Sequence, residues 1–342
     1  MKITTIGIDL AKNVFQVHGV DERGKAVVRK ALKRGQVLPF FANLQPCLIG
    51  LEACGSAHYW ARKLQGQGHT VKLMAPQFVK PYVKTNKNDA ADAEAICEAV
   101  GRPTMRFVPI KNEEQQAILA VHRARQGFVK ARTAQANQIR GLLAEYGIAI
   151  PPGIGHLATH LPDILEDGEN GLPGVFRQLI DQLGTHLKEL DRQVHELEGQ
   201  IQAWHRTNEA SRKLAEIPGI GPITASALVA SIGDARNFDD GRQLAAWLGL
   251  VPRQHSSGGK QTLLGISKRG DTYLRTLLIH GARAVIRVAE RKVNHAGSWL
   301  AGVMGRRNKN VAAVALANKN ARIVWALLAH DREYARDYAP AA

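Results

Sequence analysis

Short apolar runs alternate with amphipathic stretches over the first hundred residues. Residues 3–10, 14–20 and 25–29 read as three strands joined by connections too tight for helices, which predicts an antiparallel meander. A polar helix-like stretch leads to an apolar run at 47–52. A helical segment follows near 57–67, then a strand at 71–74 and a helix near 89–100. The predicted order is β-β-β-α-β-α-β-α, a mixed sheet flanked by helices.

From about residue 112 to 146 the period changes to that of a helix. Ile118, Val121, Phe128, Ile139, Leu142 and Tyr146 share one face, with Arg123, Lys130 and Arg140 off it, and Gly147 and the Pro151-Pro152-Gly153 cluster stop the helix. A second long helix carries Phe176, Ile180, Leu183, Leu187, Leu190, Val194, Leu197, Ile201 and Trp204 at alternating spacings of four and three. That heptad seam predicts a coiled coil, formed either by folding back on the 112–146 helix or with another subunit. Beyond Leu214 the pattern is helical with glycine-rich joints, and periodicity resumes through 273–288 and 311–328. The expected organisation is a sheet domain at 1–110, a helical coiled-coil linker at 111–210 and a helical C-terminal domain at 211–342.

Charge narrows the partner. Lys and Arg total 46 against 30 Asp and Glu, a net charge of +16, which points to a polyanion and most simply to nucleic acid. Residues 253–309 hold twelve of the cations and only two acids, Asp271 and Glu290. No apolar run approaches the roughly 20 residues of a membrane span, and the N-terminus enters strand-like sequence directly, so the chain is expected in the cytoplasm with no membrane partner. Cys47, Cys54 and Cys97 form no C-x-x-C pair and no zinc-type cluster, which argues against disulfides and structural zinc.

The candidate chemistry begins with four acids. Asp9 ends the first strand, Glu52 ends the fourth, and Asp89 and Asp92 lie three apart at the start of a helix, hence on one face. Strands one and four are expected to be neighbours, so Asp9 and Glu52 converge while the helix brings Asp89 or Asp92 across them. Such oxygen-rich groups repel one another unless hard divalent cations, Mg2+ or Mn2+, neutralise them, and two such ions suit a phosphodiester displacement. Asp89 has a competing role as helix N-cap, which leaves open whether both aspartates meet the metal.

Two further motifs lie in the basic half. Ile217-Pro218-Gly219-Ile220-Gly221-Pro222 resembles the turn of a helix-hairpin-helix module, in which Gly219 and Gly221 let backbone N–H groups approach a phosphate. The stretch 252–260 reads as a flexible loop with Ser256 and Ser257 beside two glycines, flanked by Arg253, His255 and Lys260. A serine there is either a phosphate contact or a nucleophile. Lys268, Arg269 and Arg275 follow as expected phosphate contacts that make binding salt-sensitive.

Taken jointly, these residues resemble the DEDD transposases of bacterial insertion sequences (the insertion sequence 110/1111 family), relatives of Piv-type DNA invertases that include bridge-RNA-guided recombinases. Gly7-Ile8-Asp9, Leu51-Glu52 and Lys87-Asn88-Asp89-Ala90-Ala91-Asp92 look like the acidic blocks of its RuvC-like (RNase H-like) domain. The 217–221 turn, Gly249-Leu250-Val251-Pro252, Ser257-Gly258, Ser267-Lys268-Arg269-Gly270 and Leu274-Arg275 look like its C-terminal transposase domain. The resemblance implies that Asp9, Glu52, Asp89 and Asp92 bind Mg2+ and that a serine, mapped onto Ser257 with Ser256 as the alternative, joins covalently to DNA. It also implies donor and target DNA, a noncoding bridge RNA, and a homodimer or homotetramer with a site shared between subunits. Competing readings are a structure-selective Mg2+-dependent nuclease that activates water, and a non-catalytic nucleic-acid-binding protein.

Overall fold

The N-terminal runs fold as β1 (Thr5–Leu10), β2 (Val14–Val20) and β3 (Ala26–Lys33), the expected antiparallel meander. The third strand continues past its apolar stretch because Ala31 and Leu32 pair with Gln16 and Phe15, which buries Leu32. The structure is a computed structural model and describes residues 2–84, 88–291 and 299–335. Lys87 of the third acidic block and Lys292 of the basic stretch lie outside the described residues.

After the meander come α1 (Val37–Ala42), β4 (Leu48–Glu52), α2 (Ala57–Gln65), β5 (Thr70–Met74), the single turn α3 (Pro76–Val79), α4 (Asp89–Val100) and a two-residue β6 (Phe107–Val108). They complete a six-stranded mixed sheet of order β3-β2-β1-β4-β5-β6. The parallel pairing of β1 with β4 bears out the expected neighbourhood of strands one and four, while β6, which the apolar pattern does not announce, adds an antiparallel edge. Strand alternation divides the two faces. Ile6, Ile8, Ile49, Leu51, Val71 and Leu73 pack with Phe41 of α1 and with Trp60 and Leu64 of α2. On the opposite face α4 lies over β1, β2 and β4.

The chain divides into two compact units, Met1–Glu113 and Glu114–Ala342. The helical region and the C-terminal region, expected as separate domains, thus fall within one unit. It contains nearly all of α5 (Glu113–Ala144), then α6 (Ile154–Glu166), α7 (Gly174–Thr207), α8 (Glu209–Ala215), α9 (Pro222–Ile232) and α10 (Gly241–Trp247). Two strands, β7 (Pro252–Ser257) and β8 (Lys260–Ile266), precede α11 (Thr272–Arg291), α12 (Trp299–Met304) and α13 (Lys309–His330).

The heptad seam is covered within the chain. Arg125 of α5 donates to Glu198 of α7 (Nε to Oε1, 2.9 Å), and Arg132 pairs with Asp191, so residue numbers fall along one helix as they rise along the other and the two run antiparallel. Ile180 and Leu187 of the seam share a buried cluster with Ile139 and Leu143 of α5 and Leu157 and Leu161 of α6. Among the described residues one helix, the 22-residue α13, is long and apolar enough to cross a membrane by length and composition, although Lys319 and Arg322 interrupt its apolar run. Its apolar side chains serve a core instead, for Ala313, Leu316, Ala317, Ala321, Val324 and Leu327 are buried against Leu244, Leu274 and Leu278.

A buried polar node joins α5 to this C-terminal core. His122, 1% exposed, sits with Nδ1 3.0 Å from the Tyr273 hydroxyl and Nε2 3.1 Å from Ser226 Oγ. Ser226 donates its proton to the Pro222 carbonyl at 2.6 Å, so Nε2–H donates to Ser226 and Nδ1 accepts from Tyr273, the pattern of a neutral ring. Burial, reinforced by the Arg125 charge, lowers the His122 pKa from 6.5 to about 4. Because the folded state resists the proton that the unfolded chain accepts, stability is complete above about pH 6.5 and is lost as pH falls from there towards 4. The loss amounts to about 3 kcal/mol at one 1.36 kcal/mol step per unit. Urea unfolding of wild type and His122→Gln between pH 7 and 4.5 checks this: the wild-type curve should fall more steeply by about that amount, and parallel curves would remove His122 from the account.

Candidate active site and nucleic-acid interface

The acidic site is assembled by a close helix–sheet contact. Gly7 of β1 and Gly50 of β4 face α4, and a Cβ on Gly7 would lie 2.2 Å from the Ala93 carbonyl oxygen and 2.3 Å from the Cys97 nitrogen. A Cβ on Gly50 would lie 2.7 Å from the Val100 Cβ. Only glycine permits this approach, and by strand alternation Asp9 and Glu52, two residues beyond each glycine, point to the same face. The first turn of α4 therefore arrives over the end of β1. The carboxylates of Asp9, Asp89 and Asp92 come together, with one ligand oxygen from each lying within 4.8 Å of the others.

The competition over the helix cap resolves in the same place. Asn88, not Asp89, is the N-cap, its side chain accepting from the Ala91 N–H at 2.8 Å. Asp89 and Asp92 occupy the first turn without being needed as the cap, at the end of the helix where the dipole favours negative charge. Glu52 ends the adjacent strand one position past the Ile8–Leu51 pair, and is not among the three acids grouped within 4.8 Å. Both carboxylates still act on Cys54: burial first, then Glu52 and Asp9, push its thiol pKa up and hold it protonated. Cys47, Cys54 and Cys97 are free thiols. Three clustered aspartates and a nearby glutamate are hard oxygen donors, a set that fits a divalent cation.

The stretch expected as a flexible loop is a β-hairpin. Ser257 pairs with Lys260 across the two-residue turn Gly258-Gly259, whose φ values of 56° and 78° are those a primed hairpin turn requires. Ser257 therefore stands at the hairpin tip, and every residue of β7 is exposed. Alternation puts Arg253, His255 and Ser257 on one face and Gln254 and Ser256 on the other. The Ser256 hydroxyl accepts from Gln254 Nε2 at 2.8 Å, whereas no side-chain hydrogen bond engages Ser257 among the described residues. The sequence carries a signal for this geometry, since a Gly-Gly pair between two short polar runs is a hairpin turn.

Arg253, Lys260, Lys268 and Arg269 are exposed in this region. Arg275, expected beside them as a phosphate contact, is placed otherwise: it is 7% exposed and turned inward. Its Nη1 donates to the carbonyls of Leu248 (3.1 Å) and Arg269 (3.0 Å), and its Nη2 to Thr272 Oγ1 (3.1 Å). These bonds fasten the two ends of the hairpin, which also meet through Ser267 N–H to Val251 O (2.8 Å) and Lys268 N–H to Gly249 O (3.2 Å). Gly219 likewise has a structural occupation. With φ at +90° it lies against α11, and a Cβ on Gly281 would be 1.8 Å from the Gly219 carbonyl oxygen. Gly221 is exposed at the N-terminus of α9, with nothing within 4 Å of where a Cβ would stand.

A mixed sheet whose strand ends and covering helix gather aspartates is consistent with an RNase H-like DEDD transposase domain, a class of enzyme that cleaves DNA and transfers strands. Residues 6–148 match the DEDD_Tnp_IS110 transposase family, and residues 211–296 match the family described as "Transposase IS116/IS110/IS902 family". A probable family 20 transposase of Pseudomonas aeruginosa is 56% identical over 98% of this chain and 99% of its own length. The transposase for insertion sequence element IS1111A of Coxiella burnetii is 46% identical over 97% of this chain and 91% of its own. A pilin gene-inverting protein of Moraxella bovis is 25% identical over 81% of each. The chain belongs to the IS110/IS116/IS902 family of transposases.

Arg275 is a buried mount of the hairpin, whereas Arg253 and Lys260 are exposed, and their variants should separate accordingly. Arg275→Ala leaves buried carbonyls without their donor and should cost about 2–3 kcal/mol, read as a lower thermal midpoint. Arg253→Ala and Lys260→Ala should leave the midpoint unchanged, weaken DNA binding and flatten its dependence on log salt by about one unit each. An Arg275→Ala protein of normal stability with a flattened salt dependence would return Arg275 to the phosphate backbone.

Proposed function

We propose that this transposase is a site-specific DNA recombinase that acts through a covalent phosphoserine intermediate at Ser257. The observation that carries the reading is the placement of that serine: at the tip of an exposed hairpin, opposite Lys260 and on one face with Arg253 and His255, in a chain that also gathers Asp9, Asp89 and Asp92.

Asp9, Asp89 and Asp92, with Glu52 beside them, would hold a divalent cation such as Mg2+ or Mn2+, which would supply Lewis-acid polarisation of the phosphate and charge stabilisation for the displaced oxygen. Ser257 Oγ forms a bond to phosphorus and releases its proton to water, while the P–O3′ bond breaks and the departing 3′ oxygen takes a proton from water to leave as a hydroxyl, so no net proton is gained or lost. The DNA phosphate remains on Ser257 as a diester. Attack by the 3′-hydroxyl of a second strand then expels the serine and completes exchange, so the bond is conserved and no high-energy cofactor is consumed. The gene-inverting relative, a protein named for a DNA rearrangement, supports recombination over simple hydrolysis.

The acidic unit of one subunit meets the serine of another in a homodimer or homotetramer, with the antiparallel α5–α7 pair acting as a coiled-coil arm. An element-encoded bridge RNA pairs with donor and target DNA in the cytoplasm, and the protein's contacts are to backbone. Arg253, Lys260, Lys268 and Arg269 serve that role, as does the α8–α9 turn, a helix-hairpin-helix-like element that offers a phosphate the helix end at Gly221.

Purified protein incubated with Mg2+, element-derived RNA and labelled donor and target DNA should yield a denaturation-resistant protein–DNA adduct. Ser257→Ala should abolish it, Ser256→Ala should retain it, and Asp9→Asn should reduce it by at least about 100-fold, the order of loss for a group acting on the transition state. Cleavage that survives Ser257→Ala with no adduct would identify a water-activating nuclease instead.

A further inference from the structure

Beside the acidic cluster the first unit holds a cavity of about 360 Å3 between α4 and the β2–β3 ribbon. Gln16, His18 and Arg29 line it from the sheet, and Asn88, Ala91 and Glu94 line it from the helix. It adjoins the acids on two separate elements: Gln16 is the cross-strand partner of Asp9, and Asn88 immediately precedes Asp89. Whatever occupies the cavity therefore sits next to whatever the aspartates hold.

The wall chemistry selects the occupant. His18 is 6% exposed, and the Glu94 carboxylate stands 4.0 Å from its Nδ1, beyond hydrogen-bond reach, so a buried polar ring faces the cavity without a hydrogen bond among the described residues. Burial lowers the His18 pKa, an effect that Glu94 opposes in part and that Arg29 and Lys84 reinforce, which favours the neutral ring with one donor and one acceptor. Glu94 also lies 4.0 Å from Arg29 and 3.7 Å from Lys84. A carboxylate in the wall repels a bare phosphate but accepts from the amino and imino groups of a nucleobase, and the Gln16 amide and the His18 ring can supply both senses of hydrogen bond. Arg29 lines the cavity with a side chain that is 70% exposed, so its charge is open to a strand's phosphates as well. The volume lies within the roughly 300–1,000 Å3 range of small-ligand clefts.

We propose that this cavity is a nucleotide subsite, which receives the base of the deoxynucleotide adjoining the phosphate held at Asp9, Asp89 and Asp92 and draws it out of its stack. The inference deepens the proposed function and rests on the reading of the aspartates as the cleavage site. It assigns Gln16, His18 and Glu94 to base recognition and Arg29 to the flanking backbone.

The test uses the full-length protein with Ca2+ in place of Mg2+ and fluorescently labelled DNA, intact or with one abasic residue moved in turn through the strand. Wild type should lose about tenfold in affinity at one position of the abasic residue. Ala91→Phe, which fills the cavity, should lose the same factor on intact DNA and nothing further on that abasic strand. Arg29→Ala, an exposed substitution, should weaken binding about threefold and reduce the salt slope by about one. Unchanged thermal midpoints and an unchanged midpoint shift on adding Mn2+ would show that fold and acidic cluster persist in both variants. Ala91→Phe and Arg29→Ala proteins that bind as wild type, or an abasic penalty of equal size at every position, would each overturn the subsite. If wild type forms the Ser257 adduct while both variants bind and react normally, the subsite alone is wrong. If no adduct forms but wild type still shows the position-specific loss and Ala91→Phe removes it, the recombination chemistry is wrong and the subsite stands.

Discussion

The absence of two β-carbons sets the geometry of the first unit. With Gly7 and Gly50 on the sheet, α4 descends until its backbone touches β1, and a methyl group at Gly7 would need space already taken by the Ala93 carbonyl. The close approach is held by Ile96, Ala99 and Val100, which pack with Met74 and Val79 in a separate buried cluster. Mutual repulsion of the carboxylates opposes the assembly, by about 1 kcal/mol per pair at 4 Å even in a water-like dielectric. The apolar contacts of α4 therefore hold together acids that would otherwise separate, and a cation removes the opposition. The site is preorganised by a helix that cannot retreat without exposing its own core.

Much of this geometry is legible in the residue pattern alone. The three-strand meander and a helical segment ahead of the fourth strand imply a sheet in which strands one and four are neighbours, and β1 and β4 do pair in parallel. The acids are identifiable because Asp9 and Glu52 end apolar strands, a costly location for a charge with only decorative value. The role of Asn88 is harder to see, because an Asn-Asp pair at a helix start allows either residue as the cap and local geometry decides. The hairpin escapes the pattern for a different reason. Period-two alternation marks a strand only when one face is buried, and β7 buries neither. Arg275 is misplaced by sequence because a buried arginine and a DNA-facing one look alike within a run of cations. The difference lies in the Leu248 and Arg269 carbonyls, which reach Arg275 only after folding.

The second unit presents its serine on a different physical basis. A two-stranded hairpin with both faces exposed gains little from packing and is marginal by itself. Here the shape is set at its ends. The tip is closed by Gly258 and Gly259 in the left-handed region. The base is closed by Arg275 and by two further glycines, Gly249 and Gly270, for which any Cβ would lie about 2 Å from the carbonyl oxygens of Arg269 and Trp247. Between these clamps the strands carry polar and cationic side chains together with the exposed Leu263 and Leu264.

That contrast bears on how the proposed chemistry would be controlled. The aspartates are preorganised by a core, so their geometry is available before substrate arrives. The hairpin is fixed only at base and tip, so the faces of its strands gain their packing from what binds them. Under the proposed mechanism, nucleic acid together with a second subunit would complete the environment of Ser257, through contacts to its cations and to Leu263 and Leu264. Cleavage would then depend on assembly: an isolated subunit would hold a metal-binding site and an unsupported nucleophile, and only a loaded complex would align them. If the intermediate is the proposed covalent one, an aspartate site built in advance and a serine completed late would restrict breakage to complexes already able to rejoin the strands.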